Sequence, residues 1–421
     1  MSLTELLPPL TDHEALVESN RCLYCYDAPC AHACPTHIDI ARFIRKISTG
    51  NLTGSARTIF EANLLGATCA RVCPVQELCE GACVLGSDHK PIAIGRLQRY
   101  AMDAAYHSGN SMPVTGMPAG GRVAVVGAGP AGLSCAGELA RRGYQVTLFE
   151  KRDLGGGLST YGIIGLREPV DVALAEVDMI RGLGVEIQTG IEFGTAIDLG
   201  TLRRDYDAVF LSVGLGKTPA LGIPGEEQIV DGLEFIEQSK VAATGPSIGR
   251  QVLVIGAGNT AIDCATIAAR LGAEKVTMVY RRTAAHMTAY VHEVQFVQNE
   301  GVQFEFLAQP VAVELRDGVV VGLRCVRMQL NPEPVPLAGS EFTIAADQIV
   351  KAIGQQKHFI QGLEMERGFF RVDAGMQTSI PGVYAGGDCV RSHGAASTVM
   401  AVQDGKLAAA AIASALAKGK D

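Results

Sequence analysis

The sequence contains no tryptophan, and aromatic residues fill only 5% of its 421 positions. Charged residues are sparse at 19%, and acids outnumber bases by 44 to 36, giving a net charge of −8 and a pI near 5.7. That balance provides no basic excess with which to hold a nucleic acid or an anionic membrane. No apolar run reaches the ~18 residues of a membrane helix, because the Ala-rich tail is interrupted by Lys406 and Lys418. The opening residues, Met1 to Leu10, lack a basic segment followed by a cleavable apolar core. Export is therefore not expected, and a cytoplasmic protein is. What is plentiful is glycine, with 49 residues in a chain that is 48% hydrophobic. Length and composition together suit a multidomain α/β protein that binds nucleotides.

Cysteine is concentrated. Eight of twelve lie between Cys22 and Cys83: Cys22, Cys25, Cys30 and Cys34-Pro35, then Cys69, Cys73-Pro74, Cys79 and Cys83. In a reducing compartment such clusters bind metal or do redox work. Closed tetrahedral zinc sites want separated pairs, and the second group has no Cys-x-x-Cys. Iron–sulfur ligation better suits three closely spaced cysteines with a fourth beside proline, which in the related bacterial run serves the other cluster. Two 4Fe–4S clusters are the favoured reading and zinc the alternative; spacing alone would use all eight thiols. Large apolar side chains are few here (Phe43, Phe60, Tyr100), and clusters would supply cross-links in their place. Helical periodicity at Ile40–Ile47 and Ile94–Met102 makes residues 1–115 a helical domain. It ends in a Gly/Pro/Ser-rich linker, His107–Gly121.

Beyond the linker the chain repeats one unit: apolar strand, glycine turn, Ala-rich helix. The first copy holds Gly127-Ala128-Gly129-Pro130-Ala131-Gly132. These glycines allow a tight turn and let a pyrophosphate lie on the helix N-terminus. The next strand ends in Glu150, where a carboxylate would take the ribose hydroxyls. The second copy holds Gly256-Ala257-Gly258-Asn259-Thr260-Ala261, and its next strand ends in Arg281-Arg282 without an acid. A guanidinium there suits a 2′-phosphate, so NADPH is favoured over NADH. No Cys-x-x-Cys accompanies the second copy; Cys135, Cys264, Cys325 and Cys389 are isolated and read as core residues. A flavin-to-disulfide relay is not expected. His286, His292 and His393 have no constellation around them.

Cys22-Leu-Tyr-Cys25-Tyr-Asp-Ala-Pro-Cys30, Gly66-Ala-Thr-Cys69-Ala-Arg-Val-Cys73-Pro74, Cys79-Glu-Gly-Ala-Cys83 and Pro91-Ile-Ala-Ile-Gly-Arg-Leu-Gln98 resemble the N-terminal half of dihydropyrimidine dehydrogenase. In bacteria a similar stretch is a separate flavin/iron–sulfur subunit. The resemblance continues through Gly155–Arg167, Gly256–Ala265 and Ala385–Asp388. It implies one cluster on Cys22, Cys25, Cys30 and Cys83, and a second on Cys34, Cys73, Cys79 and the side-chain oxygen of Gln98, leaving Cys69 unused. It places Glu150, Leu158 and Arg167 along FAD, Gly387 and Asp388 at its ribityl chain, and Ser397 and Thr398 at a helix start facing the ring. The glutamate synthase small subunit shares the architecture. Tyr280–Met287 and Asn299–Phe304 look more like that subunit, whereas Asp27-Ala-Pro-Cys30 and Gln98 favour the pyrimidine branch.

The expected fold is an α-helical domain with two 4Fe–4S clusters, then two interleaved Rossmann-like α/β dinucleotide-binding domains. FAD falls to 116–215 plus 355–421, and NADPH or NADH to 216–354. The resemblance implies electron input toward an FMN-containing barrel subunit with further clusters, where uracil or thymine is reduced to the 5,6-dihydro form. No side chain is singled out as catalytic, because the cofactors carry the chemistry.

Overall fold

The computed structural model describes residues 5–108, 116–242, 245–331, 333–391 and 396–418. His393 and residues 109–115 of the expected linker lie outside these. The chain divides into two compact units, one holding Leu6–Thr160, Val170–Leu215 and Lys357–Asp421, the other Tyr161–Pro169 and Gly216–Gln356.

The first unit opens with six helices: α1 (Asp12–Asn20), α2 (Pro29–Ala33), α3 (Ile40–Ser48), α4 (Leu52–Ala62), α5 (Gly66–Val72) and α6 (Ile94–His107). Side chains that accept from orphan amides set the helix starts. Thr11 and Glu14 form a reciprocal capping box on α1, Asp39 accepts from Arg42 N and Asn51 from Gly54 N. Ile40, Phe43, Ile44 and Ile47 form the buried stripe of α3 and pack with Ile59, Leu97 and Met102. Each such buried side chain contributes about 1.5–3 kcal/mol.

The same unit continues with β1 (Arg122–Val126), α7 (Pro130–Arg141), β2 (Gln145–Phe149), α8 (Leu158–Tyr161), α9 (Val170–Gly182), β3 (Glu186–Gln188), α10 (Leu199–Asp205) and β4 (Ala208–Leu211). The second unit supplies β5 (Val230–Asp231), α11 (Gly232–Lys240), β6 (Gln251–Ile255), α12 (Asn259–Arg270), β7 (Lys275–Tyr280), α13 (Val291–Asn299), β8 (Gln303–Phe306), β9 (Ala308–Arg316), β10 (Val319–Asn331), β11 (Glu333–Ala345) and β12 (Gln348–Lys351). The chain then returns to the first unit with the hairpin β13 (Met365–Glu366) and β14 (Phe369–Phe370), followed by β15 (Val383–Ala385) and α14 (Thr398–Lys418).

Each unit is built on a five-stranded parallel sheet, ordered β15-β4-β1-β2-β3 in the first and β5-β12-β6-β7-β8 in the second. Val123–Val126 and Val252–Ile255 are buried without alternation, as strands covered on both faces must be. The second unit adds an antiparallel sheet, β11-β10-β9, inserted before β12.

The Ala-rich tail, in which Lys406 and Lys418 interrupt the apolar run, is one 21-residue helix, α14, long and apolar enough by length and composition to cross a membrane. Its face carrying Val399, Val402, Ala408, Ala409 and Ile412 is buried in the core around α7. Gly405 makes that packing possible, since a Cβ there would lie 2.2 Å from Ala131 O.

Candidate functional site

Cys22 and Cys25 precede α2, Cys30 lies within it, and Cys83 immediately precedes a 3-10 turn, Val84–Ser87. All four line one pocket enclosing about 380 Å³, part of it open to solvent, with walls from Ala28, Ile40, Ile44, Ile92 and Ile94. Burial, with the neighbouring Cys83 and Cys22 acting in the same direction, pushes the Cys30 thiol up to about 11. Cys22 is raised for the same reasons, burial first and then Cys25 and Cys83. Four mutually repelling soft donors in an apolar recess fit a cationic centre that holds them as thiolates. The structure thus gathers the four cysteines that the resemblance assigns to one cluster.

The second group converges between α2, α5 and the turn after α5. The Cys73 thiol is raised first by a hydrogen bond with Cys69, then by burial and the proximity of Cys69, Cys79 and Cys34. Burial, Glu80 and Cys34 raise Cys79. Cys69 therefore stands beside the expected ligands, although the resemblance leaves it out. Gln98 is buried on α6, and its Nε2 donates to Gly66 O at 2.8 Å, which leaves Oε1 as the atom able to meet a metal. Among the described residues, no three Cys, His, Asp or Glu side chains close on a point fit for a single ion.

The helical domain is joined to the first parallel sheet's layer by Glu176. This buried carboxylate on α9 accepts from Ala67 N at 2.8 Å and Thr68 N at 3.3 Å, satisfying amides at the start of α5. Spacing gave no sign of this cap, which joins residues over a hundred apart in the chain.

Beside it lies the first glycine turn. Gly127 has φ +99° and faces Ser212 O, which a Cβ would meet at 2.3 Å; at Gly132 a Cβ would meet Gly127 O at 1.9 Å. Gly129 caps α7, whose free amides make an anion site. Glu150 is buried at the end of β2, its Oε2 accepting from Ala128 N and its Oε1 from Arg152 N. The carboxylate keeps acceptor capacity for a diol. Gly156 N donates to Ala128 O at 2.7 Å, bringing the loop that ends in exposed Leu158 against the turn. From the chain's far end, Gly387 approaches α7, where its Cβ would come within 3.1 Å of Ala131. Asp404 on α14 accepts from Gly387 N at 2.9 Å. Burial raises the pKa of Asp388 despite Arg391 nearby. Ser397 O accepts from Ala401 N in the first turn of α14, which begins at Thr398. Distant segments thus form one cradle that suits a dinucleotide.

The second turn repeats the design. Gly256 has φ +135°, and a Cβ there would meet Ala352 O at 2.1 Å. Ala257 O accepts from Thr288 N and Ala289 N, Gly258 caps α12, and Asn259 Oδ1 accepts from Tyr290 N; Thr260 follows in the first turn. The paired arginines separate. Arg282 is held by Glu333 at 2.6 Å, whereas Arg281 is exposed at the end of β7. Arg167, expected along FAD, has its guanidinium in a cluster with Asp263 at 2.9 Å and Glu293 at 3.0 Å.

Two family profiles account for most of the sequence. "Dihydroprymidine dehydrogenase domain II, 4Fe-4S cluster" matches residues 2–110, and "Pyridine nucleotide-disulphide oxidoreductase" matches 121–405. The chain belongs to the pyridine nucleotide-disulphide oxidoreductase family. With its N-terminal iron–sulfur domain it is an NAD(P)H oxidoreductase of the FAD- and 4Fe–4S-dependent kind. Among curated relatives, it is 37% identical to the NAD-dependent dihydropyrimidine dehydrogenase subunit PreT of Escherichia coli, over 97% of this chain and 96% of that one. It is 37% identical to the NADP(+)-dependent formate dehydrogenase subunit beta of Moorella thermoacetica, over 93% of this chain but only 60% of that protein. It is 32% identical to the E. coli glutamate synthase [NADPH] small chain, over 97% and 93%. Among solved structures, T. acidophilum thioredoxin reductase shares the fold, with a TM-score of 0.56 and 21% identity over 70% of this chain and 98% of that one.

This oxidoreductase keeps the family's nucleotide folds without a disulfide partner for them. Cys135, Cys264, Cys325 and Cys389 are free, buried and far apart in sequence. Burial pushes Cys325 and Cys389 up to about 12 and raises Cys135 and Cys264 too, so none is a ready nucleophile. Cys389 and Cys264 instead donate to backbone carbonyls. His286 and His292 are similarly local, one bonded to Thr283 and the other stacked on Tyr290.

Proposed function

We propose that this chain is the electron-input subunit of a heteromeric cytoplasmic dehydrogenase, oxidising NADPH or NADH and sending electrons through two 4Fe–4S clusters to a partner that reduces uracil or thymine. The observation that carries the reading is the four-cysteine pocket lying in the same compact unit as the dinucleotide cradle around Gly129 and Glu150. The chemistry that FAD would supply when bound is acceptance of a hydride from a nicotinamide and release of its two electrons one at a time.

The protein's part is holding and insulating. Cys22, Cys25, Cys30 and Cys83 would hold one cluster; Cys34, Cys73, Cys79 and Gln98 Oε1 would hold the other. Glu150 would orient the flavin ribose, the α7 N-terminus would meet its pyrophosphate, and Gly387 and Asp388 would line the ribityl chain. Ser397 and Thr398 would set the positive end of α14 toward the ring, favouring negative charge there. Arg281 would meet the 2′-phosphate of NADPH.

The pyrimidine assignment draws on the match of residues 2–110 and on PreT, which this chain parallels almost end to end. The expected partner is an FMN-containing barrel subunit with further iron–sulfur clusters. A second reading, the reductase subunit of a glutamate synthase, has the 32% relative and the Tyr280–Met287 stretch in its favour. Affinity purification of the tagged chain from its own cells, without oxygen, separates them. An FMN-barrel protein that then reduces uracil with NAD(P)H supports the first; a large amidotransferase subunit overturns it for the second.

A further inference from the structure

Lys406 projects from α14 toward the second cysteine group. Its Nζ donates to Thr36 O at 3.0 Å and to Ala62 O, at the end of α4, at 2.9 Å. Thr36 in turn lies against Cys34, with its Oγ1 3.4 Å from the thiol sulfur. The ammonium thus touches the loop that carries Cys34, and these two hydrogen bonds go to neutral carbonyls. Glu138, the acid near it, is shared between Arg141 at 3.3 Å and Arg142 at 3.5 Å and is not free to cancel the lysine. Burial lowers its pKa from the ordinary lysine value, Glu138 and Cys34 pull the other way, and Arg141 and Arg142 add to the lowering.

Its neighbours on α14 serve the other site. Asp404 accepts from Gly387 N, and Gly405 lies against Ala131 and Cys135 of α7. One turn of one helix therefore contacts the dinucleotide cradle through 404 and 405 and the cysteine loop through 406.

We infer that Lys406 tunes the second cluster, its positive charge stabilising the reduced form and raising the reduction potential above that of the same cluster without it. This rests on the reading that Cys34 is a cluster ligand. Reduction adds one electron to a centre already carrying thiolates, and a nearby cation in a partly desolvated site offsets that added negative charge. The hydrogen bonds alone would only fix the loop. Charge is what separates tuning from scaffolding.

The test is an anaerobic, EPR-monitored redox titration of the full-length holoprotein, with iron counted beforehand. Wild type should show two 4Fe–4S signals, assigned by loss of one in Cys30→Ser and of the other in Cys73→Ser. Lys406→Gln, which keeps a donor, and Lys406→Met should both lower the potential of the second cluster and leave the first in place. Lys406→Arg should hold the wild-type value. An unmoved second potential in Gln and Met, or equal movement of both clusters, overturns the inference. A wild-type protein with only one cluster fails earlier and separately: it overturns the ligand reading, and the role of Lys406 falls with it.

Discussion

Glu150 Oε2 accepts from the Ala128 amide at 2.8 Å, so the acid that ends β2 also braces the glycine turn after β1. Its other oxygen accepts from Arg152 N at 2.9 Å. The residue braces the cradle as a strut and, on the function proposed above, would also take a ribose diol. Hydrogen bonds to a charged group contribute about 1.5–3 kcal/mol each. Glu150→Ala should therefore weaken FAD by on the order of tenfold to a hundredfold. Flavin retention on gel filtration and the fluorescence of released FAD measure this. Retention equal to wild type would remove Glu150 from the binding role.

The paired arginines after β7 make unequal predictions. Arg282 is occupied by Glu333, whereas Arg281 is exposed at the strand end. Arg281→Ala should raise the KM for NADPH by about tenfold or more, the loss of a charge-assisted phosphate contact, with little change for NADH. Arg282→Ala should have the smaller effect on this ratio. Steady-state reduction of ferricyanide with each nucleotide gives the comparison, and equal losses for both nucleotides would exclude a 2′-phosphate site here.

Local chemistry was legible in the sequence and long-range closure was not. The two glycine runs announced β1–α7 and β6–α12 because turn, helix start and next strand all fall within one short window. The α3 stripe from Ile40 to Ile47 was legible by period for the same reason. The antiparallel sheet β9–β11 carries no such signature and went unread. Nor could spacing reveal that Glu176 caps α5, that Arg167 meets Asp263 and Glu293, or that Lys406 reaches Thr36. Each joins segments far apart in the chain, so only the folded topology creates the pair. Cys69 is instructive in another way: its position in the cysteine run made it equal to its neighbours, and its contact with Cys73 keeps it close to them.

Glu293 gives the second unit a pH-dependent stability. Burial, with help from Asp263, pushes its pKa up to about 7 from an ordinary 4.5, against the pull of Arg167. Between those values the folded chain holds a proton that the unfolded chain has released. Stability therefore falls as pH rises through this window and levels off above about 7. Glu293→Gln should flatten that part of the profile and stabilise the protein at pH 8 by on the order of 2 kcal/mol relative to wild type. Near pH 4.5 the two should be alike. Denaturant unfolding followed across this range decides it, and a variant that loses stability at pH 8 would show that the carboxylate's pairing with Arg167 outweighs its burial.

The two cysteine groups should part company in iron content. With two 4Fe–4S clusters the anaerobically purified chain carries about eight irons. Cys30 lines the first pocket with Cys22, Cys25 and Cys83, so Cys30→Ser should remove about half of that iron and one of the two EPR signals. Cys69 is buried beside Cys73, in the core cluster that also holds Leu64 and Leu65. If that contact is packing, Cys69→Ala keeps both signals and full iron, and costs only the stability of a small cavity. If Cys69 is a ligand instead, the substitution empties the second site alone, and Gln98→Ala leaves its iron in place. The two variants therefore answer in opposite senses, and the pair of iron counts fixes which side chain completes the second site.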